Sequence, residues 1–218
     1  MIKFFQKLKA KKGFTLVELI VVIAIIGVLA AILIPTMLGY VTSSRVTSAN
    51  STAAEIKNNI DAFLTDADTK GFGMKQDNAK QDALDITITE SSGTVTWSVS
   101  AATAANFKTG SDVVWGAAGT GTITTTKVGV TQAESLLAIN LSQLFPDIKS
   151  GAARVLLKGG KCVGVAFTSD QHTALTAGSD SPSETDGEFD NPFAWDTKTA
   201  GVATSGIIVG TAPAIPLG

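Results

Sequence analysis

The sequence predicts an α+β protein: one long N-terminal α-helix, transmembrane in its first half and amphipathic in its second, packed against an antiparallel β-sheet head. Three observations predict it. An apolar run extends from Leu16 to Ile34 with Glu18 as its only charge. Beyond it, apolar residues recur at spacings of three and four until about Asp68. After that come short stretches that alternate apolar and polar residues between glycine-rich turns.

The run from Leu16 to Ile34 holds 19 residues, roughly 28 Å of helix and about one hydrocarbon core. It is apolar on every face, unlike the one-sided stripe of a buried helix in a soluble protein. Lys3, Lys7, Lys9, Lys11 and Lys12 precede it, with no acid among the first 13 residues. The positive-inside rule therefore places the N-terminus in the cytoplasm and the bulk of the chain outside. A charged leader and an apolar run also fit a secretory signal, but no clean small-residue cleavage site follows the run. The apolar segment is expected to be retained, with any cut falling before it. A carboxylate inside such a segment costs free energy, so Glu18 reads as functional.

Gly13-Phe14-Thr15-Leu16-Val17-Glu18-Leu19-Ile20, continuing through Gly27 to Pro35, resembles the processing and assembly motif of type IV pilins and pseudopilins. The resemblance covers about 30 residues and implies the pilin fold. It implies cleavage between Gly13 and Phe14 by a membrane prepilin peptidase, with methylation of the new amine on Phe14. It also implies a structural subunit of a surface filament for adhesion or motility. Its partners are then copies of itself, the peptidase and the assembly platform in the membrane. The chain begins as a single-pass protein of the cytoplasmic membrane and ends in an extracellular pilus. Elementary electrostatics gives the cut a purpose. An amide nitrogen becomes an amine with an ordinary pKa of about 7.7–8.0, largely cationic at neutral pH. An unpaired ammonium and an unpaired Glu18 carboxylate are each costly in low dielectric, and a neighbouring subunit supplies the partner for each.

Pro35 lacks an N–H, so the carbonyl of Ala31 loses its helical partner and a kink is expected there. Gly27 is a weak helix former. In similar pilins the stretch between them extends or melts within the filament. Gly27 and Ala31 also form a small-xxx-small pair that permits close helix approach. The division expected is a cleaved leader (1–13), a long helix (14–68, with 14–38 as the membrane and filament-core part) and a globular head (69–218). The helix's second half presents Ala49, Ala53, Ile56, Ile60, Phe63 and Leu64, a stripe that must bury against a sheet.

In the head, Asp85–Thr89 and Thr94–Val99 alternate around Ser91-Ser92-Gly93, which predicts a hairpin. Asp112–Trp115 and Thr122–Val128 predict a second strand pair bridged by a glycine-rich loop. Thr131-Gln132-Ala133-Glu134 reads as a capping box opening a short helix that ends before Pro146. Arg154–Lys158 and Lys161–Phe167 flank the two-residue turn Gly159-Gly160.

The net charge of −2 hides an asymmetry: without the leader, 12 basic residues face 19 acids. Such a head is no general binder of polyanions, nucleic acid included. Cys162 is the single cysteine, which excludes an intrachain disulfide and reads as a small buried apolar residue in a strand. Many Gram-negative type IV pilins close a C-terminal loop with a cystine. The departure points to a Gram-positive or anaerobic source, a gut bacterium included.

Seven acids and no Lys or Arg lie between Cys162 and Thr197. Carboxylates around Gly187, namely Asp186, Glu188 and Asp190, form a candidate calcium site without the spacing of an EF-hand loop. A solvated acidic loop is the competing reading. The single histidine, His172, and Cys162 make neither a zinc site nor a catalytic pair. No nucleophile elbow or phosphate loop is present, so nothing argues for an enzyme or a cofactor. Trp97 and Trp115 read as core residues on sheet faces. Trp195, inside an acidic loop, is the candidate carbohydrate contact. Two other functions therefore stay open: a pseudopilin or minor pilin of a secretion or DNA-uptake system, and a pilin-anchored adhesin for cellulose.

Overall fold

The computed structural model describes residues 14–169, Leu175 and residues 208–213. The chain divides into two compact units, one ending at Ser43 and one beginning at Ser44. One helix, α1 (Leu16–Thr69), contributes to both.

In the first unit the helix is bare. Four consecutive residues sweep a full turn, and Ile20, Val21, Val22 and Ile23 are each 49–59% exposed. An 18-residue window reaches a mean hydropathy of 3.2 with none of it buried, long and apolar enough to cross a membrane. Pro35 lies inside the helical run, which continues unbroken to Thr69. One turn is reinforced there by Thr36, whose hydroxyl donates to the Leu33 carbonyl at 2.9 Å.

In the second unit the helix turns amphipathic. Val46, Ala53, Ile56, Ile60, Phe63, Leu64 and Ala67 form its buried face. That face covers one side of a six-stranded antiparallel sheet made of β1 (Gln81–Ser91), β2 (Thr94–Val99), β3 (Gly119–Thr122), β4 (Gly151–Lys158), β5 (Lys161–Thr168) and β6 (Gly210–Ala212). The order is β3-β2-β1-β4-β5-β6. Along β1, Leu84, Ile86 and Ile88 point into the core, as the alternation requires. Trp97, Val155 and Val165 from neighbouring strands join the same core. The turn Gly159-Gly160 has φ of +56° and +87°, the backbone of a two-residue hairpin that glycine adopts without strain. The expected hairpins, β1–β2 and β4–β5, are present with their registers.

The second strand pair is not formed as expected. Val114 makes one isolated parallel bridge to Gln132, and the glycine-rich loop itself is the strand β3. Sterics explain the exchange. A Cβ on Gly119 would collide with the backbone of Ser135, and one on Gly121 with the backbone of Ile139. Helix α2 (Ala133–Leu144) therefore lies directly on the strand's backbone, and absence of a side chain selects the strand. Of Thr122–Val128 only Thr122 is in the sheet. The threonines fold back instead, with the Thr125 N–H donating to the Thr122 carbonyl at 3.0 Å.

The capping box at Thr131–Glu134 is likewise not made. Gln132 is the N-cap residue, and its side chain caps no backbone N–H. Glu134 is fully buried and points away from the helix start. Its Oε1 accepts the N–H of Gly116 at 2.7 Å and of Ala102 at 3.1 Å. A carboxylate that pins two loop amides cannot also reach back to its own N-terminus.

Candidate assembly site

The capping box appears at the other helix. The Glu18 N–H donates to Thr15 Oγ1 at 3.2 Å. In return, the backbone N–H and the hydroxyl of Thr15 both donate to Glu18 Oε2, each at 2.8 Å. Thr15-x-x-Glu18 satisfies two of the four orphan N–H groups at the helix start. The signal was in the sequence at the same spacing that suggested Thr131–Glu134. The hydrophobic run conceals it, because a lone charge in an apolar segment has an electrostatic meaning of its own.

The box sets the geometry of the site. The helix starts at Leu16, so Phe14 lies before it and is 83% exposed. Glu18 sits in the first turn, where the helix dipole favours an anion. Its Oε1 has no hydrogen-bond partner among the described residues. From Phe14 to Ser44 the sequence holds no Lys or Arg. Glu18 is thus a carboxylate on a bare apolar helix with one oxygen held by Thr15.

Of the other expected site residues, Gly27 has open space where a Cβ would stand, and Pro35 is in the bare helix. Gly13 lies outside the described residues. So do Asp186, Glu188, Asp190 and Trp195, and with them the calcium and carbohydrate expectations. Among the described residues no group of three metal-ligating side chains occurs.

The head's conspicuous side chains belong to its core. Trp97 is 1% exposed and Trp115 5%, neither available to a ligand. Trp115 stacks on Phe107 with centroids 4.2 Å apart and donates its indole N–H to the Phe72 carbonyl at 2.7 Å. Cys162 is buried in β5. Burial pushes its thiol pKa up, and the nearby Asp61 carboxylate pushes it the same way.

Known proteins agree with the N-terminal reading. Residues 8–34 match the prokaryotic N-terminal methylation motif. The chain is similar to fimbrial protein Q of Moraxella bovis, 39% identical over 87 residues, which are 40% of this chain and 54% of that protein. It is also similar to the type IV major alpha-pilin of Moraxella bovis, 38% identical over 85 residues, or 39% and 53% of the two chains. A fimbrial protein of Pseudomonas aeruginosa is 52% identical over 50 residues, or 23% and 32%. The chain spans about half the length of the two Moraxella relatives. These relatives lend no support to a Gram-positive source. No solved structure matches the chain significantly.

Proposed function

We propose that the chain is a structural subunit of a type IV pilus, matured by removal of residues 1–13 and polymerised through its N-terminal helix. The observation that carries this reading is the bare first half of α1 with a single capped carboxylate, Glu18, at its start. An apolar surface of that size needs lipid or other helices around it. Lipid serves before assembly, and the same face packs on copies of itself afterwards. The motif over residues 8–34 and the relatives' names support the same reading, the major alpha-pilin in particular.

The electrostatic step is as follows. Cleavage before Phe14 turns a neutral amide into an ammonium ion. That cation meets the open Oε1 of Glu18 on an adjacent copy, while Thr15 keeps hold of Oε2. Both charges are then paired inside the filament, where an unpaired one costs several kcal/mol. The chain is thus a membrane protein first and a surface filament later, with the peptidase and the assembly platform as transient partners. The filament serves adhesion or motility. Calcium at Asp186, Glu188 and Asp190, and polysaccharide at Trp195, stand as secondary proposals on sequence alone. Calcium titration of sheared filaments, and cellulose pull-down with Trp195→Ala filaments, test them.

The test of the main reading is N-terminal sequencing of surface protein, which should begin at Phe14 and carry a methylated amine. Gly13→Leu should leave an uncut precursor in the membrane. Glu18→Ala should be cut yet yield few filaments, and normal yield from that variant contradicts the pairing.

A further inference from the structure

The head carries a groove of about 490 Å³ that none of the roles above uses. Its apolar walls come from Phe63 on α1, Phe72, and Leu136 on α2. Its rim carries two exposed lysines, Lys70 and Lys127. Among the described residues Lys127 meets no acid: its ammonium donates to Asn140 Oδ1 at 2.8 Å. Among the described residues Lys70 pairs with Asp66, four positions earlier, at 2.6 Å, an exposed pair worth little in water. The groove is thus apolar at its floor, and its mouth carries a net positive charge, Lys70 and Lys127 against Asp66, which lines it too.

The chain itself carries a sequence of the opposite character. From Ser44 to Ser169 the head is balanced, with 11 Lys and Arg against 11 Asp and Glu. The segment Glu184–Asp196 holds five acids, three aromatic residues and no base. Its aromatic residues, Phe189, Phe193 and Trp195, are interspersed with Glu188, Asp190 and Asp196. Rings that fill an apolar floor while flanking carboxylates meet rim lysines are the complement this groove requires.

Resting on the filament reading above, we propose that this groove seats the acidic aromatic segment Glu184–Asp196 of a neighbouring copy. Groove and segment are different patches of one chain, so the contact is heterologous. A heterologous contact that does not close into a ring propagates an open helical array. The head then adds its own lateral lock to the one made by the N-terminal helices, and it fixes which neighbour each head touches.

The experiment uses filaments of the full chain. Ala62→Cys, on the exposed groove rim, is combined with Asp190→Cys and the filaments are oxidised. A ladder of disulfide-linked multimers, absent from either single variant, is expected. In parallel, Lys70→Glu with Lys127→Glu should reduce sheared filament yield at least fivefold. Adding Glu188→Lys and Asp190→Lys should recover most of it. Filaments that form but give no ladder and no recovery overturn the groove pairing and leave the filament reading standing. A fast-migrating monomer linked within itself also overturns it, since the segment then occupies its own groove. Absence of filaments from the unsubstituted chain overturns both.

Discussion

Asp61 on α1 and Cys162 on β5, 101 positions apart, meet directly: the Cys162 N–H donates to Asp61 Oδ1 at 2.7 Å. The other carboxylate oxygen takes the Lys57 ammonium at 3.0 Å. One acid thus ties the helix to the start of β5, just past the turn of the second hairpin. Asp61→Ala should destabilise the protein by about 1–3 kcal/mol, because a partly buried N–H loses a charged acceptor. Asp61→Asn keeps an acceptor and should cost less. Urea unfolding of the full chain in detergent checks the order Ala worse than Asn.

Gly121→Ala should be among the most damaging single-methyl additions in the head. The new Cβ lands on the Ile139 backbone, and a helix backbone has no rotamer by which to yield. A loss of about 2–3 kcal/mol is expected, in the overpacking range. Gly110→Ala, where nothing lies within 4 Å, serves as the control and should change the unfolding midpoint little.

Glu134 holds two loops through Oε1, while its Oε2 is buried without a hydrogen-bond partner among the described residues. Glu134→Gln preserves the acceptor for Ala102 and Gly116 and should stay within about 1 kcal/mol of the parent. Glu134→Ala strands both N–H groups and should cost about 2–4 kcal/mol. Hydrogen exchange at Ala102 and Gly116 should accelerate in the alanine variant alone.

Cys162 should be inert in the folded protein. Its pKa is raised by burial first and by Asp61 second, so the thiolate is scarcer at any given pH than in a free thiol. Maleimide at pH 8 should label it only after unfolding. Rapid labelling of folded protein contradicts the packing described for β5.

Thr15→Ala removes the hydroxyl's two bonds, from the Glu18 N–H and to Glu18 Oε2, keeps the backbone N–H bond to Oε2, and should cost the helix start about 1 kcal/mol. Thr15→Ser retains both bonds and should behave as the parent. Hydrogen exchange of the first turn in micelles separates the two variants.

These expectations mark what the sequence carries and what it conceals. The long helix, its buried stripe and two hairpins follow from periods of 3.6 and 2 and from Gly159-Gly160. β3 was not legible, because a strand chosen for missing side chains looks like a loop until the helix above it is known. Thr131–Glu134 and Thr15–Glu18 share one spacing, yet only the second is a capping box. Local pattern could not separate them, since Glu134 is claimed by amides 18 and 32 positions away. β6 is three residues long, too short for any periodicity to register.

That short strand has a mechanical consequence. Its Gly210 lies so close to α1 that a side chain there would strike the Ala49 backbone, and the Thr211 N–H donates to Asn50 Oδ1 at 2.8 Å. Within the second unit, α1 is therefore joined to the sheet's β6 edge by a close backbone approach and a hydrogen bond, beside the core packing of its buried face. When the second unit is pulled through its part of α1 in a single-molecule experiment, Asn50→Ala should lower the force at which β6 separates from the helix.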